Sequence, residues 1–112
     1  MRKKAQDLTA YQQALGLLVR REHSRRELKR KLKDRGKESE EIETALEKLS
    51  RQDFQNDERF AFALARSRQS AGYGPGRIRA EISQHGLGTE LIDRAVCGLA
   101  CDWLEMAKEL IS

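Results

Sequence analysis

A repeat with a period of fifty residues constrains this chain more than any other feature, because a unit used twice must be given the same local fold both times. Shifting the sequence by fifty superimposes Asp7 on Asp57, Ala14 and Leu15 on Leu64 and Ala65, Leu28 on Ile78, and Leu32 on Ile82. The match runs on without a gap through Gly36 on Gly86, Ser39 on Thr89, Ile42 on Ile92, Ala45 on Ala95, Leu46 on Val96 and Leu49 on Leu99. Apolar residues within each copy recur at the three- and four-residue spacing of amphipathic helices.

Each unit reads as three helices. The first carries Ala10, Tyr11, Ala14, Leu15 and Leu18 in one copy and Phe60, Ala61, Leu64 and Ala65 in the other. The second starts at Ser24, with Glu27 placed to complete a capping box, and stops at Gly36, where glycine takes a left-handed C-cap most easily. In the second copy Gly74 occupies the cap position and Pro75 the first helical position, where a missing N–H costs nothing. The third helix begins at Ser39 or Thr89 and is expected to bury Ile42, Ala45, Leu46, Leu49 and their counterparts. Beyond it, Cys101 to Ile111 reads as one more helix, the opening of a third unit whose remainder is absent. The expected fold is all-α: tandem three-helix repeats, two complete units plus the first helix of a third. Residues 1–8 form an N-terminal tail, 9–52 repeat 1, 53–100 repeat 2 and 101–112 the incomplete repeat 3.

Composition supports this class and excludes others. One proline and 5% aromatic residues do not suit a sandwich, a barrel or a proline-rich linker. No run approaches the roughly 18 to 20 apolar residues that span a bilayer, and the basic N-terminus is not followed by a signal-peptide core. A soluble, cytoplasmic protein is expected. Cys97 and Cys101 stand four apart on a helix, at a Cβ separation of roughly 5 to 6 Å, wider than the about 3.5 to 4.5 Å of a disulfide.

Charge follows the same period. Residues 1–35 hold 12 basic and 4 acidic side chains, and residues 36–65 hold 4 and 8. Residues 66–86 hold 4 and 1, and residues 87–112 hold 2 and 5. Each unit therefore has a basic front and an acidic back. On the second helix Leu28 and Leu32 face one way and Arg26, Lys29, Arg30 and Lys33 the other. An ordinary solvated face mixes both signs, whereas the stretch from Arg20 to Arg35 is almost purely cationic, as surfaces that track phosphates are. Arg20, Arg21, Arg25, Arg26, Lys29, Arg30 and Lys33 are the binding candidates in the first unit, and Arg66, Arg68, Arg77 and Arg79 a sparser set in the second. Nucleic acid or an acidic protein groove is the implied partner.

Other constellations carry less. Gly72-Tyr73-Gly74-Pro75-Gly76 lacks the Gly-Lys-Ser/Thr ending and preceding strand of a phosphate-cradling loop, so it reads as a turn, with Tyr73 either packed or offered to a partner. His23, His85, Cys97 and Cys101 could nominally bind zinc, but their spacing matches no finger or ribbon and both cysteines are spaced like core positions. No nucleophile adjoins a base, and the glutamates cluster on a hydrated face where their pKa values have little reason to move. Neither catalytic residues, nor a metal, a cofactor or a small-molecule substrate is expected. A helix-turn-helix would present its last helix to the major groove; here that helix carries Glu40, Glu41, Glu43 and Glu47, which phosphates would repel.

Three stretches carry a family resemblance: ALGLLVRREHSRRELKRKL (Ala14 to Leu32), DERFAFALARSRQSAGYGPGRIRAEI (Asp57 to Ile82) and the isolated Asp102-Trp103. Together they closely resemble the RecX family of recombinase regulators, over about residues 10 to 110. The resemblance implies an all-helical, non-catalytic protein of three-helix repeats. It implies binding to the RecA nucleoprotein filament in its deep helical groove, suppression of ATPase, strand-exchange and co-protease activities, and binding to single- and double-stranded DNA. Basic faces would then meet DNA, while acidic faces and the Tyr73 turn meet recombinase subunits. Family members usually have three repeats, and this chain ends inside the first helix of the third. The alternative reading is a helical protein that binds DNA without sequence preference and without recombinase contact.

Overall fold

A computed structural model describes residues 8–99. Six helices and no strand occur among the described residues: α1 (Ala10–Arg20), α2 (Arg25–Asp34), α3 (Ser39–Arg51), α4 (Asp57–Ser70), α5 (Pro75–Ser83) and α6, which runs from 89 to the last described residue, 99. They fall into two compact units that divide between Asp57 and Glu58. The third repeat expected from Cys101 onward lies outside the described residues.

In the first unit α3 packs against both α1 and α2. Its core is Ala10, Ala14, Leu28, Leu32, Ile42, Ala45, Leu46 and Leu49, with Tyr11, Leu15, Leu17 and Leu18 partly buried around it. The second unit buries Ala61, Ala65, Ile78, Ile82, Ile92, Ala95, Val96 and Leu99. The fifty-residue register therefore holds position by position through the second and third helices of each unit. It slips in the first. Ala14 is buried but its counterpart Leu64 only partly, whereas Ala65 is buried and its counterpart Leu15 only partly. In both units an alanine is fully buried at this point and its leucine neighbour only partly.

The ends of the helices are fixed by caps. Thr9 and Gln12 form a full capping box at α1, with Gln12 N–H donating to Thr9 Oγ1 at 3.1 Å and Thr9 N–H to Gln12 Oε1 at 3.0 Å. Glu41 of α3 accepts a further bond from Ala10 N–H at 3.2 Å, which places a carboxylate at the positive end of α1. At α2 only half of the expected box forms. Glu27 N–H donates to Ser24 Oγ at 3.1 Å, but the Glu27 carboxylate is drawn to Arg21 and Lys31 instead of returning to the cap. A charge-assisted bond to a guanidinium outcompetes a neutral backbone donor.

Three helices close with the paired bonds of a Schellman motif. After α2, Gly36 N–H donates to Lys33 O at 3.0 Å and Lys37 N–H to Leu32 O at 3.1 Å. The same pattern closes α3 at Asp53 and Phe54, and α4 at Gly72 and Tyr73. Gly36 makes its turn at φ +83° with nothing within 4 Å of where a Cβ would stand. A side chain there would be strained by its backbone alone. Gly36→Ala should therefore lower stability by about 1 kcal/mol, read as a lower urea midpoint with an unchanged slope.

Candidate functional site

The face of α2 opposite Leu28 and Leu32 is the densest concentration of charge in the first unit, and the structure divides its cations into two groups. Arg21 pairs with Glu27 at 2.6 Å, and Lys31 approaches the same carboxylate at 3.7 Å. Arg25 and Lys29 share Glu43 of α3, at 3.1 and 2.9 Å. Arg26, Arg30 and Lys33, one and two turns apart on the helix, are exposed and have no ion-pair partner among the described residues. Arg20, at the end of α1, is likewise exposed and unpaired among the described residues.

The paired carboxylates do not keep their ordinary acidity, contrary to the expectation for a hydrated face. Burial of Glu27 works to raise its pKa, but the Arg21 hydrogen bond and the charges of Arg21 and Lys31 outweigh it and hold the carboxyl below the usual range. Glu43 is held low by its bonds from Lys29 and Arg25.

Behind α2 lies a buried polar network that periodicity does not reveal. His23 is 2% exposed and Gln55 4% exposed. His23 Nδ1 lies 3.0 Å from Arg21 O, and its Nε2 lies 3.2 Å from Lys31 Nζ. A carbonyl can only accept and an ammonium only donate, so the proton sits on Nδ1 and the ring is neutral. Gln55 Nε2 donates to Asp57 Oδ1 at 2.8 Å and toward His23 O at 3.4 Å, while its Oε1 accepts from Ser50 Oγ at 3.0 Å. Asp57 Oδ1 also accepts from Arg25 N–H at 2.9 Å, satisfying the first donor of α2. The network fixes where α2 starts, and so which of its residues face outward. The equivalence of Asp57 with Asp7 was a sequence signal for it; the role of Gln55 had none.

In the second unit most of the candidate cations are engaged within the unit. Arg68 Nε bonds both oxygens of Glu81 at 2.9 and 2.8 Å, and its Nη2 adds an ion pair at 2.7 Å. These bonds from Arg68 hold the Glu81 carboxyl below its ordinary range. Arg79 pairs with Asp93. Tyr73 is half-buried, with the Arg77 guanidinium stacked 3.9 Å from its ring centre and Arg68 at 5.9 Å. Tyr73 is thus packed by arginines, and of the four second-unit candidates Arg66 is the one left exposed without a partner among the described residues. Cys97 is free and exposed, so its spacing does not make it a core residue. Cys101 lies outside the described residues. Among the described residues no three His, Cys, Asp or Glu side chains gather as metal ligands, and no helix is long and apolar enough to cross a membrane.

Comparison with known proteins matches both units in turn. Residues 10–49 correspond to the domain described as RecX, first three-helix domain, and residues 56–96 to RecX, second three-helix domain. Regulatory protein RecX of Stenotrophomonas maltophilia (strain R551-3) is 47% identical over 110 residues, covering 98% of this chain and 68% of that protein. The chain belongs to the RecX family. Regulatory protein RecX of Xanthomonas axonopodis pv. citri (strain 306) is 50% identical over 103 residues, 92% of this chain. The chain spans 64% of the length of that Xanthomonas relative. A solved RecX structure, titled crystal structure of regulatory protein RecX, superimposes with a TM-score of 0.73 at 30% identity, covering 80% of this chain and 45% of the solved one. Each of the two three-helix units therefore belongs to a RecX domain.

The neutral, buried His23 makes stability depend on pH. Burial lowers its pKa from the ordinary 6.5, the hydrogen bond to Arg21 O opposes that shift, and nearby Arg21 and Lys31 lower it while Glu27 raises it. A histidine depressed in the folded state contributes stability that is present above its unfolded pKa and is lost as pH falls through the folded value. The urea midpoint should fall as pH is lowered from 7 toward 5, and His23→Gln should flatten that dependence. Glu27, also depressed, adds a second loss below its ordinary 4.5.

Proposed function

We propose that this chain regulates the RecA recombinase, mainly as a brake, by binding the RecA–DNA filament and restraining ATPase, strand exchange and co-protease activity. The observation that carries the reading is the chain's match, unit by unit, to proteins named regulatory protein RecX. It acts by binding, without catalysis or cofactor, in the cytoplasm where such filaments form. Residues 9–52 and 53–100 serve as its two complete repeats, and 101–112 as the opening of a third.

The geometry supports a division of labour among the candidate residues. Arg26, Arg30 and Lys33, with Arg66 in the second unit, carry charge that no carboxylate among the described residues neutralises, and they contact phosphates. Arg21, Arg25, Lys29, Arg68 and Arg79 hold helices in place through Glu27, Glu43, Glu81 and Asp93. They contribute to binding chiefly by setting the direction of the free cations. Tyr73 and Arg77 act as one stacked unit. Contacts of this kind go to the nucleic-acid backbone and read no base sequence.

The free cations equally suit a second reading, in which the chain binds bare DNA and ignores the recombinase. RecA ATPase on saturating single-stranded DNA separates the two when the chain is added far below one molecule per recombinase subunit. Inhibition at that ratio is the expected result; a rate that falls only when the chain could coat the DNA, or never, overturns the regulatory reading. The triple variant Arg26→Glu, Arg30→Glu, Lys33→Glu should keep its urea midpoint and lose inhibition. On bare single strands its log affinity against log salt should be shallower by about 2, for three phosphate contacts at roughly 0.7 each.

A further inference from the structure

A shallow groove of about 200 Å³ lies against α1, lined by Leu8, Gly16 and Leu17, by the amides of Gln12 and Gln13, and by Arg20 and Arg35. It is distinct from the cationic row on α2. Both arginines are exposed and lack an ion-pair partner among the described residues. Val19, one turn from Gly16 on the same helix, is 80% exposed.

Gly16 is the informative residue. It sits in the interior of an eleven-residue helix, where glycine weakens the helix relative to almost any other residue. The fold does not ask for it: a Cβ there would meet nothing within 4 Å, and its backbone is not in the left-handed region. Nor does the repeat ask for it. Fifty residues on, or fifty-one to follow the slip of the first helix, Leu17 becomes Ser67 or Arg68 and Arg20 becomes Ser70 or Ala71, so neither the leucine nor the arginine returns in its place. The residues that line the groove are particular to the first unit, and Gly16 comes at some cost to its helix.

Its chemistry specifies the occupant. A phosphate backbone would use the two arginines and gain nothing from Leu8 and Leu17. An aliphatic side chain gains from both leucines, and guanidinium forks match carboxylates in a geometry that lysine does not offer. We propose that the α1 groove docks an acidic segment of a partner protein, which lays one aliphatic side chain over Gly16 and sets carboxylates against Arg20 and Arg35. Resting on the function proposed above, that partner is the recombinase, so that this unit holds protein with α1 and nucleic acid with α2.

Gly16→Glu in the full chain tests this directly. Glutamate is a good helix former, has open space at this position and stands four residues before Arg20, where it forms an internal pair and occupies the groove. The urea midpoint should be unchanged or higher. Affinity for RecA-coated single-stranded DNA should fall by at least about tenfold, as when a carboxylate meets carboxylates at an interface. Affinity for the bare strand should stay within about threefold, the effect of one added negative charge. Arg20→Glu with Arg35→Glu, two exposed positions, should weaken filament binding in the same way. If both variants bind filaments like the parent chain, the groove is not a docking site, while the regulatory reading stands. If bare-strand affinity falls in parallel, the groove tracks nucleic acid and the proposal is wrong. If the parent chain itself does not bind coated strands, the regulatory reading fails and this proposal falls with it.

Discussion

Two leucines hold the most highly charged helix among the described residues. Of the ten residues of α2, only Leu28 and Leu32 are buried, and the other eight carry formal charge. Burying a leucine is worth roughly 1.5 to 3 kcal/mol, a small anchorage for a helix whose neighbouring cations repel one another. The remaining hold comes from its two ends and its flanks. Ser24 and Asp57 satisfy the first donors, the Gly36 turn satisfies the last acceptors, and Glu27 and Glu43 absorb the charge of four flanking cations. What remains outside this arrangement is the row Arg26, Arg30 and Lys33. The proposed binding surface is, in this sense, the remainder after the fold has neutralised what it needs to.

Much of the fold was legible because helix periodicity and end signals are local. Leu28, Leu32, Ile42, Ala45, Leu46 and Leu49 declare one buried face, and their partners fifty residues on declare it again. Gly36 and Pro75 mark helix ends by backbone chemistry alone, and both stand where that chemistry places them. The first helix of each unit was less legible. Tyr11, Ala14 and Leu15 all fit an apolar stripe, and only packing against the other two helices decides that alanine is the one fully buried.

The candidate site was legible as a region but not as a set of roles. Sequence identifies a cation without showing the carboxylate that reaches it across a turn. Arg25 and Arg26 are adjacent and chemically identical, yet the first meets Glu43 eighteen residues away and the second meets no carboxylate among the described residues. Glu27 reads as a cap residue until Arg21 is folded against it. His23 and Gln55, thirty-two residues apart, become one buried network through contacts that no spacing rule contains. The groove on α1 was invisible for the opposite reason: a lone glycine within a helical stripe reads as a weak point until the space above it is seen.

The stacking of Arg77 on Tyr73 gives the second unit a different kind of advantage. A solvated arginine samples many rotamers, and ordering it on a partner costs on the order of 1 kcal/mol of conformational entropy. Arg77 stands over the tyrosine ring at 3.9 Å, so much of that freedom is already gone before any encounter. Arg26, Arg30 and Lys33 would each have to be ordered by the partner proposed for them. Counting charges therefore understates the second unit, because the Arg77 guanidinium is held in place before any partner arrives.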